Sequence, residues 1–224
     1  MIRGIIFDFD GLIVDTEWPV FQSWVEIFDF FGVELPFDQW STIIGTSSHE
    51  HFDPFAMIER QVGQTLDRQN LLEKRRAREL EMVADQPILP GVEEILRNAK
   101  VLNLKLGIAS SSDRDWVAGN LARLGLLEYF DVIHTSDDVE RTKPDPSLYQ
   151  LALQSLGLSP IEAIVLEDSP NGVIAAKDAG IFTIAVPNPL TASLNLDRAD
   201  MVVESLAELS LLDLIQAVDT NERA

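Results

Sequence analysis

An apolar run, Ile5 to Phe7, is followed at once by Asp8, Phe9, Asp10 and Gly11. A short continuous apolar run is what a strand buried on both faces requires. One that breaks off in carboxylates reads as such a strand reaching its carboxyl edge. Open α/β sheets bind ligands at that edge, so the first residues constrain both the architecture and the place where chemistry would sit. On a straight strand Asp8 and Asp10 leave the same face, about 6 to 7 Å apart. Like charges that close need a cation between them or a shared proton, since their repulsion otherwise raises one pKa. A turn would use the same residue types, and the pair alone does not separate the two readings.

The rest of the chain carries the sheet forward. Apolar strands are expected at Leu104 to Ala109, Val132 to His134, Ala163 to Leu166, Phe182 to Val186 and Met201 to Val203. Helices are expected at Asp113 to Leu124, Ser147 to Leu156, Gly172 to Ala179 and Leu206 to Ala217, with another beginning at Val92. This alternation predicts an α/β fold, a Rossmann-like, mostly parallel sheet with helices on both faces. From Glu17 to Gln86 the pattern is helical instead. Trp18, Phe21, Trp24, Val25 and Phe28 recur at three-to-four spacing, a short helix is expected over Phe37 to Ile44, and a longer helical stretch over Phe55 to Val83. The charged segment Glu73 to Glu81 reads as a solvated helix face. The expected organisation is a core of residues 1–16 and 87–224 with a helical cap, residues 17–86, inserted after the first strand. Both ends of such an insert lie beside the carboxylates, which places it as a lid.

Charge narrows the partners. With 17 basic and 37 acidic residues the formal net charge is −20, which repels nucleic acid and anionic lipid, so neither is expected as a partner. A small anionic substrate stays admissible, because a lysine and a metal ion can reverse the potential inside one cleft. The absence of cysteine removes disulfides, thiolate nucleophiles and thiolate metal sites. No apolar span or basic-then-apolar leader is evident, and a soluble cytoplasmic protein is the expectation. No exposed stripe marks a self-association face, which leaves oligomeric state unread and a monomer as the default.

If every strand is parallel, residues just beyond each carboxyl end converge on one rim. Strand one delivers Asp8 and Asp10, strand two Ser110 to Asp113, and the strand ending at Leu166 delivers Glu167, Asp168 and Ser169. One of the serines or Asp113 caps the following helix, while a hydroxyl and amides at a helix start also form a phosphate cradle, the role read for Ser110. Lys143 lies in an Asp-rich neighbourhood; a salt-bridge lysine would fit there, but a cleft handling phosphate beside carboxylates requires a compact fixed cation. Hard oxygen ligands on two strand tips suit Mg²⁺.

These residues also carry a resemblance. DFDGLIVDTE (Asp8 to Glu17), IASSS at the second strand's end, TKPDP around Lys143 and LEDSPNG (Leu166 to Gly172) resemble the four motifs of the haloacid dehalogenase-like hydrolases. Within them the chain looks like the capped small-molecule phosphatases and β-phosphoglucomutases. The resemblance implies that Asp8 is a nucleophile forming an aspartyl-phosphate and Asp10 a general acid and base. It implies that Ser110 and Lys143 bind the phosphoryl group. Mg²⁺ would be held by Asp8, the backbone carbonyl of Asp10 and Asp168, with Glu167 contributing directly or through water.

The implied activity is Mg²⁺-dependent hydrolysis of a small phosphorylated metabolite. The alternatives are a hexose phosphate mutase and a non-catalytic phosphometabolite-binding protein. Mutases are expected to carry a histidine where this chain has Val20, and an arginine shortly after the cap glycine, where Gly45 is followed by Thr46, Ser47, Ser48 and His49. Those departures favour the phosphatase. His49 could stand in for the arginine, and Trp18, Phe21 and Trp24 could line a substrate pocket or simply pack the cap.

Overall fold

The computed structural model describes residues 1–45 and 52–221. Six strands, β1 (Gly4–Phe7), β2 (Lys105–Ala109), β3 (Val132–His134), β4 (Ala163–Glu167), β5 (Phe182–Ala185) and β6 (Met201–Val202), form one sheet in the order β3-β2-β1-β4-β5-β6. Its helices are α1 (Glu17–Phe30), α2 (Phe37–Trp40), α3 (Pro54–Val62), α4 (Arg68–Ala84), α5 (Val92–Val101), α6 (Arg114–Arg123), α7 (Ser147–Leu156), α8 (Pro170–Asp178) and α9 (Leu211–Asn221). All the strand pairings are parallel, with Ile6 opposite Gly107 on one side and Val165 on the other. The α/β class and the parallel sheet expected from the alternating pattern are what the chain forms. The order reverses between β1 and β4, so their carboxyl ends flank the crevice where such sheets bind ligands.

Successive strand residues point to opposite faces. Ile5, Phe7, Leu106, Ile108, Ile164 and Leu166 pack with Val92 and Leu96 of α5, Val117 and Leu121 of α6 and Leu211 and Leu214 of α9. On the other face Ile6, Ala109 and Val165 meet Leu148, Tyr149 and Ala152 of α7 and Ala175 and Ala176 of α8. Ile5, Ile6 and Phe7 are at most 1% exposed. Burying side chains of that size contributes about 1.5 to 3 kcal/mol each, which anchors the strand whose end carries Asp8.

Helices α1 to α4 build a separate apolar cluster from Trp24, Ile27, Phe28, Trp40, Phe55 and Ile58. The Trp24 and Phe55 rings meet edge to face at 4.9 Å. Leu190, from the connection after β5, joins this cluster and so ties the helical segment to the sheet.

Three elements differ from the sequence expectation. The stretch from Phe55 to Val83 is two helices, because Gly63 adopts φ +69° behind α3 and Asp67 caps α4 by accepting from Asn70 N. The short helix over Phe37 to Ile44 is one α-turn followed by a 3-10 turn at Ser41–Ile43. The last helix begins at Leu211 rather than Leu206. Ser210 and Asp213 cap its start reciprocally, and the backbone at Leu206 lies against Gly91, where an added Cβ would come within 2.2 Å.

Among the described residues no helix is long and apolar enough to cross a membrane.

Candidate active site

The parallel pairing of β1 continues one residue past the strand, Asp8 N donating to Leu166 O at 2.9 Å. The chain then turns: Gly11 takes φ +77° and its N–H donates to Val14 O. The turn thus follows Asp10 directly and ends the extended run that carries the two aspartates. Asp8 and Asp10 both line one cavity of about 400 Å³. Gly11 is required there, because a Cβ would lie 2.4 Å from Asp168 Oδ2.

Lys143 is 2% exposed, and its ammonium donates to Asp8 Oδ1 and, at 2.6 Å, to Glu167 Oε1. Glu167 is fully buried at the tip of β4 and accepts from four further donors. These are Tyr149 OH at 2.7 Å, the Asp168 and Ser169 amides, and Ser169 Oγ. Gly172 makes room for it, since a Cβ there would fall 1.7 Å from Glu167 Oε1. Asp168 Oδ2 accepts from Asn188 Nδ2 at 2.7 Å. Asn188 is itself held by Thr191 Oγ1 and by the Leu190 amide.

Asp8, Glu167 and Asp168 each bring a carboxylate oxygen within 4.8 Å of the others. Burial raises the Asp8 carboxyl to about 8 despite the opposing Lys143 ammonium. Burial, then Glu167 and Asp8, raises Asp168 as well. Burial pulls the Lys143 ammonium down, but Asp8 and Glu167 outweigh it and leave the group above its ordinary value. Glu17, at the start of α1, is pushed up to about 8 by burial and by Asp10 and Asp8. With one lysine beside them, these three buried carboxylates can all be ionised only if a further positive charge joins them. An all-oxygen donor set of that kind fits a hard divalent cation such as Mg²⁺.

Asp10 lines the same cavity as Asp8. Its Oδ1 accepts from Thr16 Oγ1 at 2.7 Å and Trp116 Nε1 at 2.8 Å, and its Oδ2 from Ser112 Oγ at 2.6 Å and Ser110 Oγ at 3.2 Å. Ser110 is fully buried at the end of β2, and its hydroxyl also accepts from Ser112 N. Asp113, not Ser110, caps α6, accepting from Trp116 N.

A profile of the family described as haloacid dehalogenase-like hydrolase matches residues 5–186. The chain belongs to the haloacid dehalogenase-like hydrolases. It is 45% identical over 220 residues to the Bacillus subtilis (strain 168) protein named "Putative phosphatase YhcW", covering 98% of this chain and 99% of that one. It is 33% identical over 185 residues to the phosphorylated carbohydrates phosphatase of Thermotoga maritima, covering 82% and 84%. The structure of CbbY from Rhodobacter sphaeroides in complex with phosphate superposes with a TM-score of 0.77 at 28% identity, covering 98% and 100%.

In this haloacid dehalogenase-like hydrolase the helical segment roofs the cavity. Gly45 lines it with φ +77°, packed so that a Cβ would sit 2.3 Å from Ser169 Oγ. Core residues grip this turn: Ser111 Oγ donates to Gly45 O at 3.1 Å and Asn171 Nδ2 to Ile44 O at 2.8 Å. His49 lies outside the described residues. Trp18 is 47% exposed against Phe21 and is not among the cavity residues. Its position on α1 turns it outward, and Trp24 and Trp40 line the cavity instead.

The charged stretch of α4 is not simply a solvated face. Glu79 is 2% exposed and lines the cavity, paired with Arg75 at 2.9 Å and Arg76 at 2.5 Å. The Arg76 guanidinium lies 4.3 Å over the Trp116 ring. Leu72, Arg75, Arg76, Glu79 and Val83 share a three-to-four spacing, the one signal that could have marked this face as inward. No comparable signal in the sequence marks Thr16, Trp116, Tyr149 or Asn188.

Proposed function

We propose that the protein is a Mg²⁺-dependent phosphomonoesterase acting on a small phosphorylated sugar or polyol. The observation that carries this reading is Lys143 bridging Asp8 and Glu167 while Asp8 and Asp10 line one cavity. Asp8 attacks phosphorus, and Asp10 protonates the departing ester oxygen. An aspartyl-phosphate on Asp8 results, and Asp10, now ionised, takes a proton from the water that releases phosphate. Ser110 orients the phosphoryl oxygens, and Lys143 holds Asp8 in place and offsets its charge.

Asp8 and Asp168, with the Asp10 carbonyl, would hold Mg²⁺; when bound, the ion neutralises charge on the transferring group. Glu167, already accepting from five donors, is read as the residue that fixes Lys143 and the start of α8. Residues 17–86 are read as a cap that excludes bulk water from the reaction, with hinges near Thr16 and Gln86.

A mutase must grip a second phosphate. Here Val20 lines the cavity, and Arg75 and Arg76 are both paired to Glu79, which favours a neutral hydroxylated leaving group. The relative named for phosphorylated carbohydrates points to the same class. Asp8→Asn is expected to abolish phosphate release from a panel of sugar and polyol monoesters in Mg²⁺, as EDTA should for the wild type. Undiminished release by the variant would overturn the assignment.

A further inference from the structure

We propose that Trp116 is a positioning residue for Asp10, its indole N–H holding Oδ1 as an acceptor so that Oδ2 is the oxygen that serves the leaving group. This rests on Asp10 being the general acid. Trp116 lies in the first turn of α6, 7% exposed, with its backbone N–H held by Asp113 at 2.8 Å, and it lines the cavity. Its Nε1 reaches Asp10 Oδ1 at 2.8 Å.

An indole N–H donates and never accepts, so a proton on Oδ1 would face another hydrogen and lose this bond. Among the described residues, Oδ2 meets only the Ser112 and Ser110 hydroxyls. A hydroxyl rotates between donating and accepting, so Oδ2 can carry or release a proton and keep its partners. In the first chemical step the Oδ2–H bond breaks, and its proton joins the ester oxygen. That oxygen keeps the electron pair of the breaking P–O bond, and Asp10 is left as a carboxylate.

The indole is held by the helical segment as well. Arg76 of α4 sits 4.3 Å over its ring and is anchored by Glu79 at 2.5 Å. A cation on the aromatic face is attractive and strengthens the N–H as a donor. Helix α4 thereby helps fix an acid that belongs to the sheet, without touching it.

Trp116→Phe keeps a ring under Arg76 and removes the N–H. The readout is kcat/KM, which includes departure of the leaving group but not the later release of phosphate. It is measured on the best alkyl monoester of a sugar- and polyol-phosphate panel and on p-nitrophenyl phosphate, whose leaving group departs unprotonated. The variant is expected to lose about 10- to 100-fold on the alkyl ester and less than about 3-fold on the aryl ester. Benzothienylalanine at position 116 has the shape of tryptophan without the N–H; it should reproduce that pattern, including if the phenylalanine variant folds poorly. Equal losses on both esters would show a structural role only, and no loss on either would show an idle hydrogen bond; both overturn the proposal. Asp10→Asn separates the two levels: if it spares the alkyl ester, the reading of Asp10 as the acid fails, whatever Trp116 does.

Discussion

Lys143 Nζ lies 2.6 Å from Glu167 Oε1 while donating to Asp8 Oδ1, so one buried ammonium serves two carboxylates from different strand tips. Removing one partner of a buried ion pair strands the other charge and costs about 3 to 5 kcal/mol. Lys143→Met should therefore lower stability by that order, seen as a reduced urea midpoint, and should abolish turnover. A variant as stable as the wild type would mean that Asp8 and Glu167 find other partners.

The acidic cluster makes stability depend on pH and on metal. Asp8 and Glu17 are both raised to about 8, so the folded chain keeps protons that the unfolded chain releases above about pH 4. Their contribution is full below the unfolded values and is lost as pH rises through about 8. Mg²⁺ held as proposed would favour ionised Asp8 and should offset its share of that loss. Thermal melts in EDTA and in excess MgCl₂ should show a metal-induced rise in Tm that is larger at about pH 8 than at about pH 6. A shift that shrinks with rising pH would contradict it.

Gly172→Ala would place a methyl carbon 1.7 Å from Glu167 Oε1, against a carboxylate with no free space around it. Overpacking of this kind costs about 1 to 3 kcal/mol. Because Glu167 holds Lys143, kcat should fall together with the denaturation midpoint.

Glu79→Gln leaves Arg75 and Arg76 facing the cavity without their shared carboxylate. The ratio of kcat/KM for a sugar bisphosphate over the matching monophosphate should rise about tenfold, near the 1.4 kcal/mol of one charge-assisted hydrogen bond. An unchanged ratio would mean that the pair does not face the leaving group.

Sequence alone was enough for the α/β class and for the strands, because a strand buried on both faces must be an unbroken apolar run, as Ile5 to Phe7 and Ile164 to Leu166 are. It also marked Asp8, Glu167 and Asp168 as candidates, since they directly follow such runs. Parallel packing then brings those ends within 4.8 Å. The turn at Gly11 that follows Asp10 was hidden, because Asp and Gly serve strand ends and turns alike.

What only the tertiary structure decided is which helical side chains face the cavity. Trp18 looked inward and is exposed, while Glu79 looked solvated and is buried. A helix presents every side chain to some direction, and which direction is the interior depends on the surface it docks against. Trp116 meets Asp10 across 106 positions of sequence once the sheet and α6 are packed, and it meets Arg76 only because the helical segment lies against α6.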